Sequence, residues 1–269
     1  MERNEEKKKI GGNKVKANKY NNNKQYREYL RLIRNMNHTQ REAFEILLND
    51  VRQMKDAAEE KNITKKQFTK ALFIVDMNNG FVNFGAMHNK EYNKLVPEQL
   101  RLIEKFRREE QLVNFIMEGH LVDAVEFMLY PDHCVDGTEE IDLIPQFKDE
   151  ETKENTNIYY KNSINGGLNM DLAVDLEDWQ DLKEIVIAGV CTDLCVLDFA
   201  KTLARLVEEV NKCVHIFVVA SAVSTFDAPG HDRDAETEYA FEVMRKSGIE
   251  VVDDFEHLER REKELKLAA

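Results

Sequence analysis

Four short runs of almost unbroken apolar residues constrain this chain most: ALFIVDM (71–77), QLVNFIME (111–118), EIVIAGV (184–190) and VHIFVVASA (214–222). Each has the length of a strand rather than a helix, and β-branched and aromatic residues dominate. A strand with one wet face would alternate apolar and polar positions. These runs do not alternate, so both of their faces are expected to be covered. NIYYK (157–161) and IEVVD (249–253) read as two further strands, and 92–109, 194–209 and 234–247 carry helical spacing. Strands alternating with helices imply βαβ units. The expected class is therefore α/β, a three-layer α/β/α arrangement with a mainly parallel sheet, over residues 66–258.

The flanks read differently. Residues 1–25 are rich in Lys, Asn and Glu and are expected to be a disordered polar tail, because so little apolar surface cannot offset the entropy of ordering. Residues 26–65 read as an N-terminal helical extension. Tyr29, Leu30, Ile33 and Met36, then Phe44, Leu47, Leu48, Val51 and Met54, recur at helical spacing, with a break at Asn37-His38-Thr39. Thr39 and Glu42 form a capping box for the second helix, and the hairpin would pack on the main domain or on a partner subunit. Residues 120–150 lack periodicity and hold Pro131 and Pro145, so a long loop is expected; 259–269 reads as a charged C-terminal tail.

Length and composition set further bounds. The chain has 269 residues, 42% of them apolar, which suits one large domain with an extension. A net charge of −13 argues against a general nucleic-acid binder. No apolar run approaches the ~20 residues that span a bilayer, and MERNEEKKKI lacks the apolar core of a signal peptide, so no membrane association and a cytoplasmic location are expected. In that compartment Cys134, Cys191, Cys195 and Cys213 read as free thiols.

Ligands in parallel sheets bind beyond the carboxyl ends of the strands. Those ends carry Asp76, Glu118 with His120 just past it, Lys161, and the turn CTDLC with a helix starting near Cys195. A thiol at a helix N-terminus sees the positive end of the dipole, which favours thiolate; Lys161 would lower its pKa further and Asp76 would accept its proton. Taken alone, Cys195 would more simply be a small buried hydrophobe; its company on four strand ends argues for chemistry. Glu118, His120, Glu126 and His133 offer oxygen and imidazole ligands suited to zinc, iron or manganese.

GVCTDLCV (189–196), Asp76 followed by NNGF, Lys161 after a strand, and PDHCVDGTEE (131–140) together resemble the isochorismatase-like cysteine hydrolases, most nearly the nicotinamidase branch, over about residues 68–255. The resemblance implies a catalytic triad of Asp76, Lys161 and Cys195. It implies a cis peptide between Val190 and Cys191, and an oxyanion hole from the backbone N–H groups of Cys191 and Cys195. Phe81 and Tyr130 match aromatic residues beside the substrate ring. His120, Glu126 and His133 match metal ligands; Glu118 stands where the family carries an aspartate one methylene shorter. The implied function is hydrolysis of a small amide, nicotinamide to nicotinate and ammonia, through a Cys195 thioester, with a metal holding the pyridine nitrogen. A homo-oligomer is also an expectation of the resemblance.

Two other readings stay open from the sequence. One is hydrolysis of another small N-carbamoyl or ureido compound on the same fold, by relatives without the metal. The other is a catalytically silent interaction protein, since a fold never proves an activity. Vinyl-ether hydrolysis by isochorismatases proper uses no nucleophilic cysteine, and Cys195 argues against it.

Overall fold

The computed structural model describes residues 67–268 apart from 170, 173, 174, 177 and 178. The polar tail and helical extension expected over 1–65 lie outside the described residues. Six strands form one sheet: β1 (Lys70–Val75), β2 (Leu112–Glu118), β3 (Thr156–Lys161), β4 (Glu184–Val190), β5 (His215–Ser224) and β6 (Glu250–Val252). Their order is β3-β2-β1-β4-β5-β6, and every pairing is parallel. The helices are a single turn α1 (Asn79–Val82), α2 (Val96–Arg108), α3 (Leu197–Glu209), α4 (Arg233–Lys246) and α5 (Phe255–Ala268).

The unbroken apolar runs now have a cause. Along β1, Leu72 and Ile74 face one core with Leu102, Ile103 and Phe106 of α2 and Leu258 of α5. Ala71, Phe73 and Val75 face the other, with Phe199 and Leu203 of α3 and Phe241 and Met244 of α4. Helices therefore cover both faces, as a parallel sheet requires. The expected helix over 92–109 is a 3₁₀ turn (Lys90–Leu95) leading into α2, with Pro97 in the first turn where a missing N–H costs nothing. The loop over 120–150 is pinned by bridges from Asn78 to Leu143 and from His120 to Val135.

Strand order reverses between β1 and β4, and a crevice opens beyond their carboxyl ends. β4 lies very close to β1 there. Gly189 pairs with Val75 at φ +123°, and a Cβ on Gly189 would stand 2.1 Å from the Val75 carbonyl oxygen. Only glycine fits both the angle and the contact.

One expectation is corrected. Residues 259–268 are not a loose charged tail; they continue α5, which buries Leu258 and Glu262 against the domain. Glu262 meets the ammonium groups of Lys70 and Lys105 at 2.8 Å each, and Lys70 also reaches Glu184 at 3.2 Å. Charges are seldom buried unless paired, and here the pairing is what docks the helix. Glu262→Ala would take the shared carboxylate from two buried ammonium groups, leaving Lys70 with Glu184 and Glu109 and Lys105 with Glu109. We expect a loss of about 3–5 kcal/mol in urea unfolding; a loss of under about 1 kcal/mol would mean water already screens the cluster.

Candidate active site

Asp76 follows β1 directly and is fully buried, with φ +51°. Left-handed backbone is uncommon outside glycine, though aspartate tolerates it better than most, and it turns the side chain into the crevice. Cys195 sits in a π-helical turn (Thr192–Val196) between β4 and α3, so the helix expected at 194–209 opens on that irregular turn and regular α geometry starts at Leu197. The Val190–Cys191 peptide before that turn is cis. Lys161 closes β3.

The three side chains converge. Lys161 Nζ lies 3.0 Å from Asp76 Oδ2 and donates to Cys195 Sγ at 3.7 Å. It also donates to Glu118 Oε1 at 2.6 Å. Polar atoms of Asp76, Glu118 and Cys195 fall within 4.8 Å of one another. Burial pushes the Asp76 carboxyl up to about 7, against the pull of Lys161. The many anions around Lys161 hold its ammonium well above the usual range despite burial. Burial pushes the Cys195 thiol well above its ordinary value, and Lys161 opposes this without overcoming it. Desolvation of a buried anion thus works against the neighbouring cation and the helix terminus, which favour thiolate. What the geometry offers is a thiol beside a carboxylate whose affinity for a proton has been raised.

Beside the triad, Glu118, His120, Glu126 and His133 bring their ligand atoms within 4.8 Å of one another. His120 Nε2 stands 3.4 Å from Glu118 Oε1 and 3.9 Å from Glu126 Oε1, and His133 Nε2 stands 3.4 Å from Glu118 Oε2. The histidines are oriented from behind. His133 Nδ1 donates to the Pro131 carbonyl at 2.7 Å, and His120 Nδ1 donates to Asn162 Oδ1 at 3.2 Å. The Leu121 N–H also donates to Asn162 Oδ1, which fixes that oxygen as the acceptor. With the proton on Nδ1, each Nε2 presents a lone pair to the carboxylates, and His120 Nε2 is buried with no hydrogen-bond partner. Lone pairs meeting lone pairs call for a cation between them, so the residues present fit a divalent metal. Burial pushes the Glu118 carboxyl up, but the Lys161 ammonium beside it opposes this and it lies well below the usual range. Glu118 thus belongs to both constellations.

A cavity of about 480 Å³ opens onto this site; Asp76, Glu118, His133, Cys191 and Cys195 line it, as do Phe81 and Tyr130. The Phe81 ring meets His133 at 5.4 Å between centroids. Two of the expected site residues, Lys161 and His120, do not reach the cavity wall: Lys161 lies beneath it, bonded to Asp76 and Cys195, and His120 sits behind, against Phe127. Cys134 is buried and Cys213 exposed, and neither lines the cavity. Sequence reasoning missed several contributors. Asn78 donates to the Glu118 carbonyl at 2.8 Å and fixes the strand end; Asn162 orients His120; Tyr92, Met87, Phe226 and Arg233 complete the wall. Asn162 had one signal, its position directly after Lys161. The others come from segments whose spacing says nothing about the site.

Comparison with known proteins places the arrangement. A family model described as Isochorismatase domain matches residues 70–254. The chain is 33% identical over 187 residues to Nicotinamidase 1 of Arabidopsis thaliana, covering 64% of this chain and 76% of that protein. Nicotinamidase PncA of Bacillus subtilis superimposes with a TM-score of 0.57 at 26% identity, covering 68% of this chain and 99% of that one. The pyrazinamidase of Pyrococcus horikoshii in complex with zinc shares the fold, with a TM-score of 0.56 at 24% identity and coverage of 69% and 99%.

The burial of Cys195 makes a prediction for its reactivity. In metal-free protein, iodoacetamide should label Cys195 with a midpoint above the roughly 8.5 of an ordinary thiol, followed by mass spectrometry of its peptide. A midpoint at or below about 7 would show that Lys161 and the turn outweigh burial.

Proposed function

The chain belongs to the isochorismatase family, and on that premise we propose that it is a cysteine amidohydrolase that cleaves nicotinamide to nicotinate and ammonia. The observation that carries this reading is the convergence of Asp76, Lys161 and Cys195 with a four-residue metal-ligand cluster at a single cavity. The likeness to Nicotinamidase 1 of Arabidopsis thaliana supports the substrate.

The chemistry comes from the placement. Asp76, with its raised proton affinity, takes the Cys195 proton as the sulfur attacks the amide carbon. The two partners titrate together, so the thiolate forms only as its proton leaves. Negative charge on the carbonyl oxygen is received by the backbone N–H groups of Cys191 and Cys195. Asp76 then returns the proton to the departing nitrogen, ammonia leaves, and a thioester remains. Asp76 next accepts a proton from water as it adds to that thioester, and nicotinate is released with the thiol restored. Lys161 remains charged throughout and holds Asp76 and Cys195 in register. Glu118, His120, Glu126 and His133 would hold a divalent metal, zinc, iron or manganese, which supplies a Lewis acid for the ring nitrogen. Phe81 and Tyr130 would flank the ring.

The test is ammonia release from nicotinamide by the full-length protein, with and without added zinc, manganese or iron. Cys195→Ala should lower kcat/KM by at least about 1,000-fold. Asp76→Asn should lower it by about 100- to 10,000-fold. His120→Ala should raise KM and abolish the response to metal. Full activity in Cys195→Ala would sink the mechanism. An active protein indifferent to metal and to His120→Ala would remove the metal from it. Hydrolysis of N-carbamoyl or ureido compounds in place of nicotinamide would keep the nucleophile and overturn the substrate.

A further inference from the structure

The loop after β5 forms the outer wall of the cavity through Phe226 and Asp227, and Arg233 at the start of α4 extends it. The loop is tied to the nucleophile turn by a side-chain pair. His231 Nε2 lies 2.9 Å from Asp193 Oδ2, and Asp193 stands two residues before Cys195 in the π-helical turn. His231 Nδ1 lies 3.2 Å from the Phe226 carbonyl oxygen. The His231 ring lies flat on the Phe226 ring, at 3.8 Å between centroids and 9° between planes.

Both ring nitrogens therefore face acceptors, a carbonyl and a carboxylate. A neutral imidazole has one donor and satisfies one of them; the imidazolium satisfies both. The need for both is strong at Asp193. Its side chain is 9% exposed, and its Oδ1 is buried with no hydrogen-bond partner. The charges facing His231 come from Asp193 on the turn and Glu236 on α4, both anionic, with polar atoms of the three residues within 4.8 Å. His231 Nε2 stands at hydrogen-bond distance from Asp193 Oδ2, 2.9 Å, closer than the 3.4–3.9 Å that separates the His120 and His133 Nε2 atoms from their carboxylates. Arg233, two residues on, is directed away by its own bond, from Nε to the Thr225 carbonyl at 3.1 Å.

We propose that Asp193 and His231 form a proton-dependent clasp that holds the Phe226 wall of the cavity against the turn bearing Cys195. The clasp is closed while His231 carries both ring protons and loosens when it loses one. His231 is a positioning residue: it touches neither substrate nor the reacting atoms and acts through Phe226 and the turn. Asp193 and Glu236 raise its proton affinity, burial opposing, so the clasp stays shut above the pH at which a free imidazole would titrate. Loosening it frees the wall, which weakens substrate binding more than it slows chemistry.

The effect on turnover rests on the nicotinamide reading; the clasp itself does not. The test uses the full-length, zinc-loaded protein with ¹³C-labelled histidine and phenylalanine, titrated by NMR, alongside kcat and KM for nicotinamide over the same pH range. His231 should titrate above the roughly 6.5 of a free imidazole. Phe226 ring signals should move with the same midpoint. KM should rise at least about three-fold through it, with a smaller change in kcat. Asp193→Asn should move all three midpoints to lower pH together, and His231→Gln should remove the step in KM. The proposal is overturned if His231 titrates at or below that free value, if Asp193→Asn leaves its midpoint in place, or if Phe226 or KM is silent through it. Should the protein leave nicotinamide untouched, a shared His231 and Phe226 midpoint that shifts in Asp193→Asn still establishes the clasp, and the substrate reading alone fails.

Discussion

The site depends on the buried ammonium of Lys161. A lone cation at 4% exposure would be driven to shed its charge, so its surroundings must supply anions. Two strand ends do so, Asp76 after β1 and Glu118 on β2, and the Cys195 sulfur on the turn after β4 accepts a further hydrogen bond. The converse also holds, since two buried carboxylates this close cannot both stay ionised without a cation between them. Lys161 therefore joins Asp76 and Cys195 to the cluster of Glu118, His120, Glu126 and His133 in one electrostatic unit. Glu118 is the hinge of that unit, giving one oxygen to Lys161 and the other to His133.

Strand order makes the meeting possible. Chain segments far apart in sequence reach the crevice because the sheet winds outward in both directions from β1 and β4. The tight approach of Gly189 to Val75 brings those two strand ends together. Asp76, directly after one strand, and the cysteine turn, directly after the other, thus arrive in contact range. The fold contributes no chemistry of its own. It supplies the ends of three adjacent strands and a turn, held by two cores that leave them little freedom.

How much of this was readable from the sequence depends on what burial does to a pattern. The strands were legible because a strand covered on both faces has no polar positions to confuse the reading. Asp76, Lys161, Glu118 and the cysteine turn were legible because they stop those runs. What failed was the assignment of charge to solvent. The segment 259–269 reads as a tail because its Glu, Lys and Arg residues look exposed, yet Glu262 is 4% exposed between Lys70 and Lys105. A charged residue becomes buried only when a distant residue pairs with it, and no local window contains both. The setting of Cys195 was half legible for a related reason: a helix terminus and a lysine are visible in sequence, whereas the desolvation that opposes them is a property of the assembled interior. His231 was invisible, and Asn162 was marked only by standing after Lys161, because each acts through a partner that the chain brings up from elsewhere.

The division between strand ends and loops carries a consequence for selectivity. Asp76, Lys161 and Cys195 are fixed by the sheet and its first turn, and neighbouring backbone holds them in place. Phe226, Tyr130 and Arg233, which shape the outer cavity, stand on segments outside the strands. Loops tolerate change far better than strands packed on both faces. Substitutions in these outer segments can therefore reshape the cavity without disturbing Asp76, Lys161 and Cys195, whereas a substitution at Gly189 or Lys161 disturbs the strand ends themselves. The Asp193–His231 pair is a side-chain bond that crosses this boundary directly beside the nucleophile. It links the turn bearing Cys195 to the wall of the cavity carried by the loop after β5, and a histidine is suited to such a joint because loss of a proton can weaken its hold without any change in the sheet beneath it.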